Sequence, residues 1–253
     1  MLFRSITVTK QDVAAALEWD RKREARKIYE AAKIIECPWQ TKKFKLDGDP
    51  SEWESPSATL NGQDASLAMS YDDTNLYFCF RARGAGPLKN TGKDWRKLFK
   101  TGAAVDLNIG LDSKADVKRQ SAAIGDLRLL MTEAGPEPTA VLYQPNAPGS
   151  KPEEAWETHT DVAQSSFDRV ARLKDVQIAV RTEANSYCVE AVVPLKSIGL
   201  KIEPNASYKF DWGILVSGPG GSEVTQRLYW SNAQTGILAD EAIESQLHPD
   251  LWG

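Results

Sequence analysis

The sequence predicts an all-β sandwich over residues 38–253, preceded by an N-terminal α-helical segment over residues 1–37. Three observations carry this. After Pro38 the hydrophobic period changes to two. About nine or ten short alternating runs follow, separated by clusters of Gly, Pro, Asn and Asp. No helical pattern is interleaved among them, which argues against a parallel α/β sheet. The chain of 253 residues, 42% hydrophobic and 26% charged, has ample length for a large buried core.

The first element opens at Thr9, an N-cap hydroxyl with Asp12 at the third helical position. From Lys10 to about Glu36 there is no Pro or Gly, and Val13, Leu17, Ile28, Ala32 and Ile35 fall roughly on one stripe. Its charged middle, Glu18 to Lys27, reads as a solvated helix face, with a partner-binding helix leading to an upstream domain as the alternative. Pro38 stops the helix. The strands Ala65–Tyr71 and Leu76–Ala82 flank the turn signal Asp72-Asp73-Thr74-Asn75 and predict a hairpin. Further strands are expected at Ala103–Leu111, Asp126–Thr132, Thr139–Tyr143, Val176–Thr182, Tyr187–Pro194, Tyr208–Ser217 and Gln226–Ser231. Two insertions, Asp112–Gly125 and Gln144–Ser166, exceed the usual length of a β connection and are where function can lodge.

Composition excludes much chemistry. A net charge of −4 provides no basic field for nucleic acid. No run approaches the roughly 18 apolar residues of a membrane span, and the first residues lack the apolar core of a signal peptide. Cys37, Cys79 and Cys188 are too few for a disulfide framework, and His159 and His248 are too few for imidazole zinc chemistry. Gly218-Pro219-Gly220-Gly221 lacks the Lys and helix of a phosphate loop and reads as a hairpin turn. No nucleophile elbow is present. With 35 acidic residues, carboxylate pairs carry no information. No active site is visible in the sequence, and the chain reads as non-enzymatic.

Aromatic residues say more. Trp212 sits on the apolar phase of its strand and is expected in the core, and Trp252 is expected to pin the chain end. Trp95 lies in a polar turn before a strand, where an indole can serve as a platform for a pyranose face or bury with Leu98 and Phe99. In the following strand Val105, Leu107 and Ile109 face one side, and Asp106 and Asn108 the other. If the strand carrying Arg128 lies close by in the same sheet, Asp106 and Arg128 share a polar face. They would then either bind sugar hydroxyls or form a solvent-facing salt bridge.

These residues accumulate into a family pattern. Leu46-Asp47-Gly48-Asp49-Pro50-Ser51-Glu52-Trp53 and Tyr71-Asp72-Asp73-Thr74-Asn75-Leu76-Tyr77 resemble the entry and first hairpin of the family 9 carbohydrate-binding modules. Trp95 with Ala104-Val105-Asp106-Leu107, the strand Tyr187-Cys188-Val189-Glu190-Ala191-Val192-Val193-Pro194, and Tyr229-Trp230-Ser231 follow in the family's order, from about residue 40 to the end. The resemblance implies a jelly-roll-like antiparallel sandwich, a non-catalytic domain that binds carbohydrate, associated with polysaccharide degradation and extracytoplasmic in setting. It implies Trp95 as one of two stacking tryptophans, Asp106 in place of a hydroxyl-binding glutamate, and Arg128 as a binding arginine. Asn108, Trp230 and Asn232 complete the candidate site. It also implies a structural calcium, with Asp112 and Asp116 as candidate ligands.

The chain departs from the pattern where the second tryptophan belongs, reading Ala233-Gln234-Thr235-Gly236-Ile237-Leu238, and Leu130 replaces a polar binding position. Two alternatives stand beside sugar binding. One is a structural or interaction domain of a larger surface protein with a decayed sugar site. The other is a haem-binding relative, for which Met69 and Met131 would be axial candidates although both read as core.

Overall fold

The computed structural model describes residues 34–41, 44–53, 55–60, 62–203, 205–232 and 240–253. Thirteen strands among these residues, numbered along the chain, form two packed antiparallel sheets and one hairpin. One sheet orders β1 (Ala58–Thr59), β2 (Ala65–Tyr71), β3 (Asn75–Arg83), β11 (Ser186–Pro194) and β10 (Gln177–Glu183). The other orders β13 (Val224–Tyr229), β12 (Phe210–Ser217), β4 (Ala104–Ile109), β5 (Leu127–Glu133), β6 (Pro138–Gln144) and β9 (Arg169–Arg172). Every strand expected from the period-two pattern is present, with ends shifted by at most two residues. No helix among the described residues is long and apolar enough to cross a membrane.

Two expectations are corrected. The insertion Gln144–Ser166 is not a plain loop: it contributes the hairpin β7 (Trp156–His159) and β8 (Gln164–Phe167), with Trp156 and Phe167 stacked at 5.7 Å. Residues 34–37 are not helical. The Tyr71 N–H donates to the Pro38 carbonyl at 3.0 Å and the Gln40 N–H to the Tyr71 carbonyl at 2.6 Å. Pairing with the edge of β2 thus draws this segment out straight, which the restriction Pro38 places on Cys37 favours. The remainder of the expected helix, residues 1–33, lies outside the described residues.

The main core lies between the sheets, where Leu67, Phe78, Phe80, Leu107, Leu129 and Trp212 are sealed from solvent. Val105, Leu107 and Ile109 face it as their alternation requires. Yet β4 is buried at every position. A second apolar cluster covers the outer face of the same sheet, built from Leu98, Phe99, Leu130, Tyr143, Phe167 and Leu247 among others. In β4 and β5 the alternation therefore separates two interiors, not an interior from water.

The family-like motifs meet in space. Glu190, fully buried on the outer face of the five-stranded sheet, accepts the N–H groups of Asp47 (3.0 Å) and Gly48 (2.7 Å) and the Trp53 indole N–H (2.8 Å). Gly48 sits at φ +77°, and a Cβ there would stand 2.9 Å from the Arg181 backbone nitrogen, so only glycine fits. One carboxylate thus pins the entry loop to a strand more than a hundred residues away.

The β2–β3 turn is held by Asp72, which accepts from Thr74 N–H (2.7 Å), Asn75 N–H (2.8 Å) and the Tyr77 hydroxyl (2.6 Å). Burial raises this carboxyl, but the bonds from Tyr77 and the two amides outweigh it and hold it at about 2. A depressed carboxyl contributes stability that is present above its unfolded value, near 3.9, and is lost as pH falls toward 2. Urea titrations between pH 5 and pH 2 should show the native chain losing about 1 kcal/mol more than Asp72→Asn. Parallel losses in the two proteins would refute this role.

Candidate functional site

The outer face of the six-stranded sheet gathers charge. Asp106 on β4 and Arg128 on β5 lie on neighbouring strands, Asp106 directly opposite Leu130 and Arg128 directly opposite Asn108. Period two puts Asp106, Asn108, Arg128, Arg227 and Tyr229 on the same face. Arg128 Nε contacts both Asp106 oxygens at 3.0 and 2.9 Å, and Nη2 reaches one of them at 2.7 Å, a forked pair. Tyr229 donates its hydroxyl to the same carboxylate. Arg128 Nη1 donates to the Glu244 carbonyl at 2.9 Å. The guanidinium also lies over the Phe99 ring at 5.3 Å and the Tyr143 ring at 5.9 Å. Arg227 pairs with the Glu244 carboxylate and donates to the Phe99 carbonyl at 2.6 Å, while its Nε is buried without a protein partner.

Three segments roof this cluster. The 3-10 turn Trp95–Lys97, capped by Asp94 accepting the Arg96 N–H at 3.0 Å, delivers Leu98 and Phe99. The β7–β8 hairpin brings Trp156 and Phe167. The short helix Glu241–Ser245 and the residues after it bring Glu244, Leu247 and Trp252. The three are tied together: Lys97 and Lys100 reach Glu241 at 3.1 and 3.7 Å, and Ser165 donates to the Ala242 carbonyl at 2.8 Å. Beneath the roof Asp106 is 0% exposed and Arg128 3%. Burial works against the Arg128 charge, and Asp106 beside it more than restores it, holding the guanidinium above its ordinary range. Burial, and then Asp106, push the Tyr229 phenol up, so it stays a donor.

The sequence-predicted site residues separate into three groups. Asp106, Asn108 and Arg128 are brought together, with the Trp95 turn beside them: Tyr143 donates to the Arg96 carbonyl at 3.1 Å, and Trp95 packs half-buried on the second cluster under the Arg96 guanidinium at 4.4 Å. Asn232 is linked to this face through Asp211, the buried residue opposite Asn108, which accepts the N–H groups of Ser231 and Asn232 at 2.8 Å each. Trp230 points the other way and packs on the main core, one residue past Tyr229 on the alternating pattern. Of the stretch from Asn232 to Leu238, where the resemblance would put a second tryptophan, residues 233–238 lie outside the described residues.

Asp112 and Asp116 are exposed and each accepts an N–H of its own turn, from Lys114 at 2.8 Å and Lys118 at 2.9 Å. No group of three or more His, Cys, Asp or Glu among the described residues is arranged to hold a metal ion. In both, the carboxylate geometry is that of an Asx turn.

Sequence reasoning missed Arg227, Tyr229, Glu244 and Tyr143 as members of the cluster. The alternation of Arg227 and Tyr229 on β13 was readable, but its register against β12 and β4 was not.

No protein-family model matches the chain, and no curated protein matches it. Among solved structures it is similar to a carbohydrate-binding module of family 9 from Caldicellulosiruptor kristjanssonii in complex with cellotriose, at 14% identity over 87% of this chain and 91% of that one, with a TM-score of 0.48. It is also similar to a family 9 module from the same organism in complex with glucose, at 14% identity over 87% of this chain and 93% of that one, with a TM-score of 0.45.

Proposed function

We propose that the chain is a non-catalytic carbohydrate-binding domain that takes its ligand at the outer face of the six-stranded sheet, from the Trp95 side. One observation supports this reading above the others: Trp95, Asp106, Asn108 and Arg128, from a 3-10 turn and two neighbouring strands, converge on one face. Trp95 is the platform for the apolar face of a pyranose, and Asn108 and Asn232 are hydroxyl partners at the edge. Asp106 and Arg128 form the charged floor beneath it, where Arg128 also holds the Glu244 carbonyl of the Glu241–Ser245 segment.

The test is a titration with glucose and cellotriose, with calcium supplied, following tryptophan emission in the native chain and in Trp95→Ala. Saturable change in the native chain and none in a variant that melts cooperatively is the expected result. A flat response from folded native protein overturns the reading.

A specific observation favours a second reading, an interaction domain whose sugar face is filled from within. Asp106, Arg128, Arg227 and Glu244 already satisfy one another. A flat titration selects it.

A further inference from the structure

The outer face of the five-stranded sheet carries a pair of thiols that the proposed function does not use. On β3 and β11, Phe78, Phe80, Val189 and Ala191 face the main core. The alternate phase turns Cys79 and Cys188 outward, beside Ala68 of β2. Cys79 stands directly opposite Glu190, and Cys188 precedes Glu190 by two positions on the same strand. The two thiols are therefore diagonal neighbours across one strand pair. Their sulfurs lie 3.7 Å apart, although 109 positions separate them in the chain. A disulfide closes such a distance to about 2.05 Å, which asks for side-chain rotation and a small approach of the two strands.

The pair is covered by a loop and lies outside the main core. Cys79 is 0% exposed and Cys188 6%. The side chain packed over their cluster is the half-buried Trp53 of the entry loop, whose indole N–H is tied to Glu190 at 2.8 Å. The hydrogen bond with Cys188, then burial, push the Cys79 thiol up, so that it stays protonated while covered. Cys37 packs on the main core, and burial pushes its thiol up to about 12.

We propose that Cys79 and Cys188 form a thiol–disulfide exchange site, which reacts with a small-molecule disulfide to give a reversible Cys79–Cys188 bond beneath the entry loop. When the loop lifts, Cys188, the more exposed of the two, gives its proton to water and its sulfur attacks the disulfide R–S–S–R. That S–S bond breaks, and one thiolate leaves and takes up a proton. Cys79, deprotonated in turn, attacks the Cys188 sulfur of the mixed disulfide and expels the second thiolate, which is protonated likewise. The two cysteines lose two hydrogens and two electrons, and the small disulfide ends as two R–SH molecules. The new bond ties β3 to β11 across a long loop of chain and so restricts the unfolded state. The site lies on the opposite side of the sandwich from the proposed sugar face and is independent of it.

Oxidised glutathione added to the reduced, folded full chain tests this, followed by thiol titration, intact mass and peptide mapping. The native chain should lose two thiols and two hydrogen atoms of mass and yield a peptide joining Cys79 to Cys188. It should then unfold at a higher urea concentration and return to its starting state with dithiothreitol. Cys37→Ala should behave in the same way, and Cys79→Ala should stop at a glutathione adduct on Cys188. Trp53→Ala, or Glu190→Gln if the first does not melt cooperatively, should react at least about tenfold faster, because the cover is loosened. Thiols that stay free in the folded chain and pair only in urea overturn the proposal, as does a bond to Cys37. An oxidised chain that unfolds at a lower urea concentration overturns it too, since the pair would then be two packed side chains that a bond distorts. An unchanged rate in the loosened variants overturns the part given to the entry loop.

Discussion

Arg128→Leu is expected to lower the unfolding free energy by about 3–5 kcal/mol in denaturant titrations. The loss is not that of one surface salt bridge. Asp106 would remain fully buried with the Tyr229 hydroxyl in place of a forked cation, and the Glu244 carbonyl would lose its Arg128 donor. The Phe99 and Tyr143 rings would lose the cation they flank. The double variant Asp106→Leu with Arg128→Leu should recover much of the loss, because both charges leave a site already lined by Leu130, Tyr143 and Phe99. A single variant within about 1 kcal/mol of the native chain would show that the pair is hydrated and the roof open in solution.

Glu190→Ala is expected to cost about 3 kcal/mol, since it leaves the amides of Asp47 and Gly48 and the Trp53 indole without their acceptor. Residues 44–53 should exchange their amides faster, and Trp53 emission should shift toward that of a solvated indole. Glu190→Gln keeps one acceptor oxygen and should cost roughly half as much. A loss below about 1 kcal/mol in the alanine variant would mean that the entry loop is held chiefly by packing, for example by Phe44 on Trp53 at 5.5 Å. Neither residue needs a ligand for its effect, so these tests separate what the family-like motifs do for the fold from what they do for binding.

That separation bears on how the motifs were read. The Asp-Gly of the entry and its Trp53 are widely separated in sequence from the Glu190 of β11, and each reads as a separate motif. In the fold they are one staple. Their co-occurrence is therefore explained by folding, without appeal to sugar. Asp106 and Arg128 differ. Their polar phase was legible in β4 and β5, but whether that phase met water, a ligand or the chain itself depended on residues 95–99, 156–167 and 240–252.

The insertion after β6 shows the same limit. Its length marked it as a place for added function, yet Trp156 within it and Phe167 just after it are side chains of an ordinary short hairpin. Only their contacts with Tyr143 and Phe99 reveal that the hairpin is part of a roof. Trp230 is the converse case. Adjacent to Tyr229 in sequence, it stands on the opposite side of the sheet, because successive side chains of a strand alternate.

By itself, then, the sequence determined nine of the eleven strands of the two sheets, all but β1 and β9, the turn at Asp72–Asn75, the core place of Trp212 and the absence of a nucleophile motif. These follow from period, turn chemistry and composition, which act over a few residues. The tertiary structure alone decided that the second face of the six-stranded sheet is an interior, that Asp106 and Arg128 are satisfied within the chain, and that the described residues leave a groove at the Trp39 end. Those outcomes rest on strand register and on contacts between segments far apart in sequence, and local pattern carries no information about which distant segment covers a face.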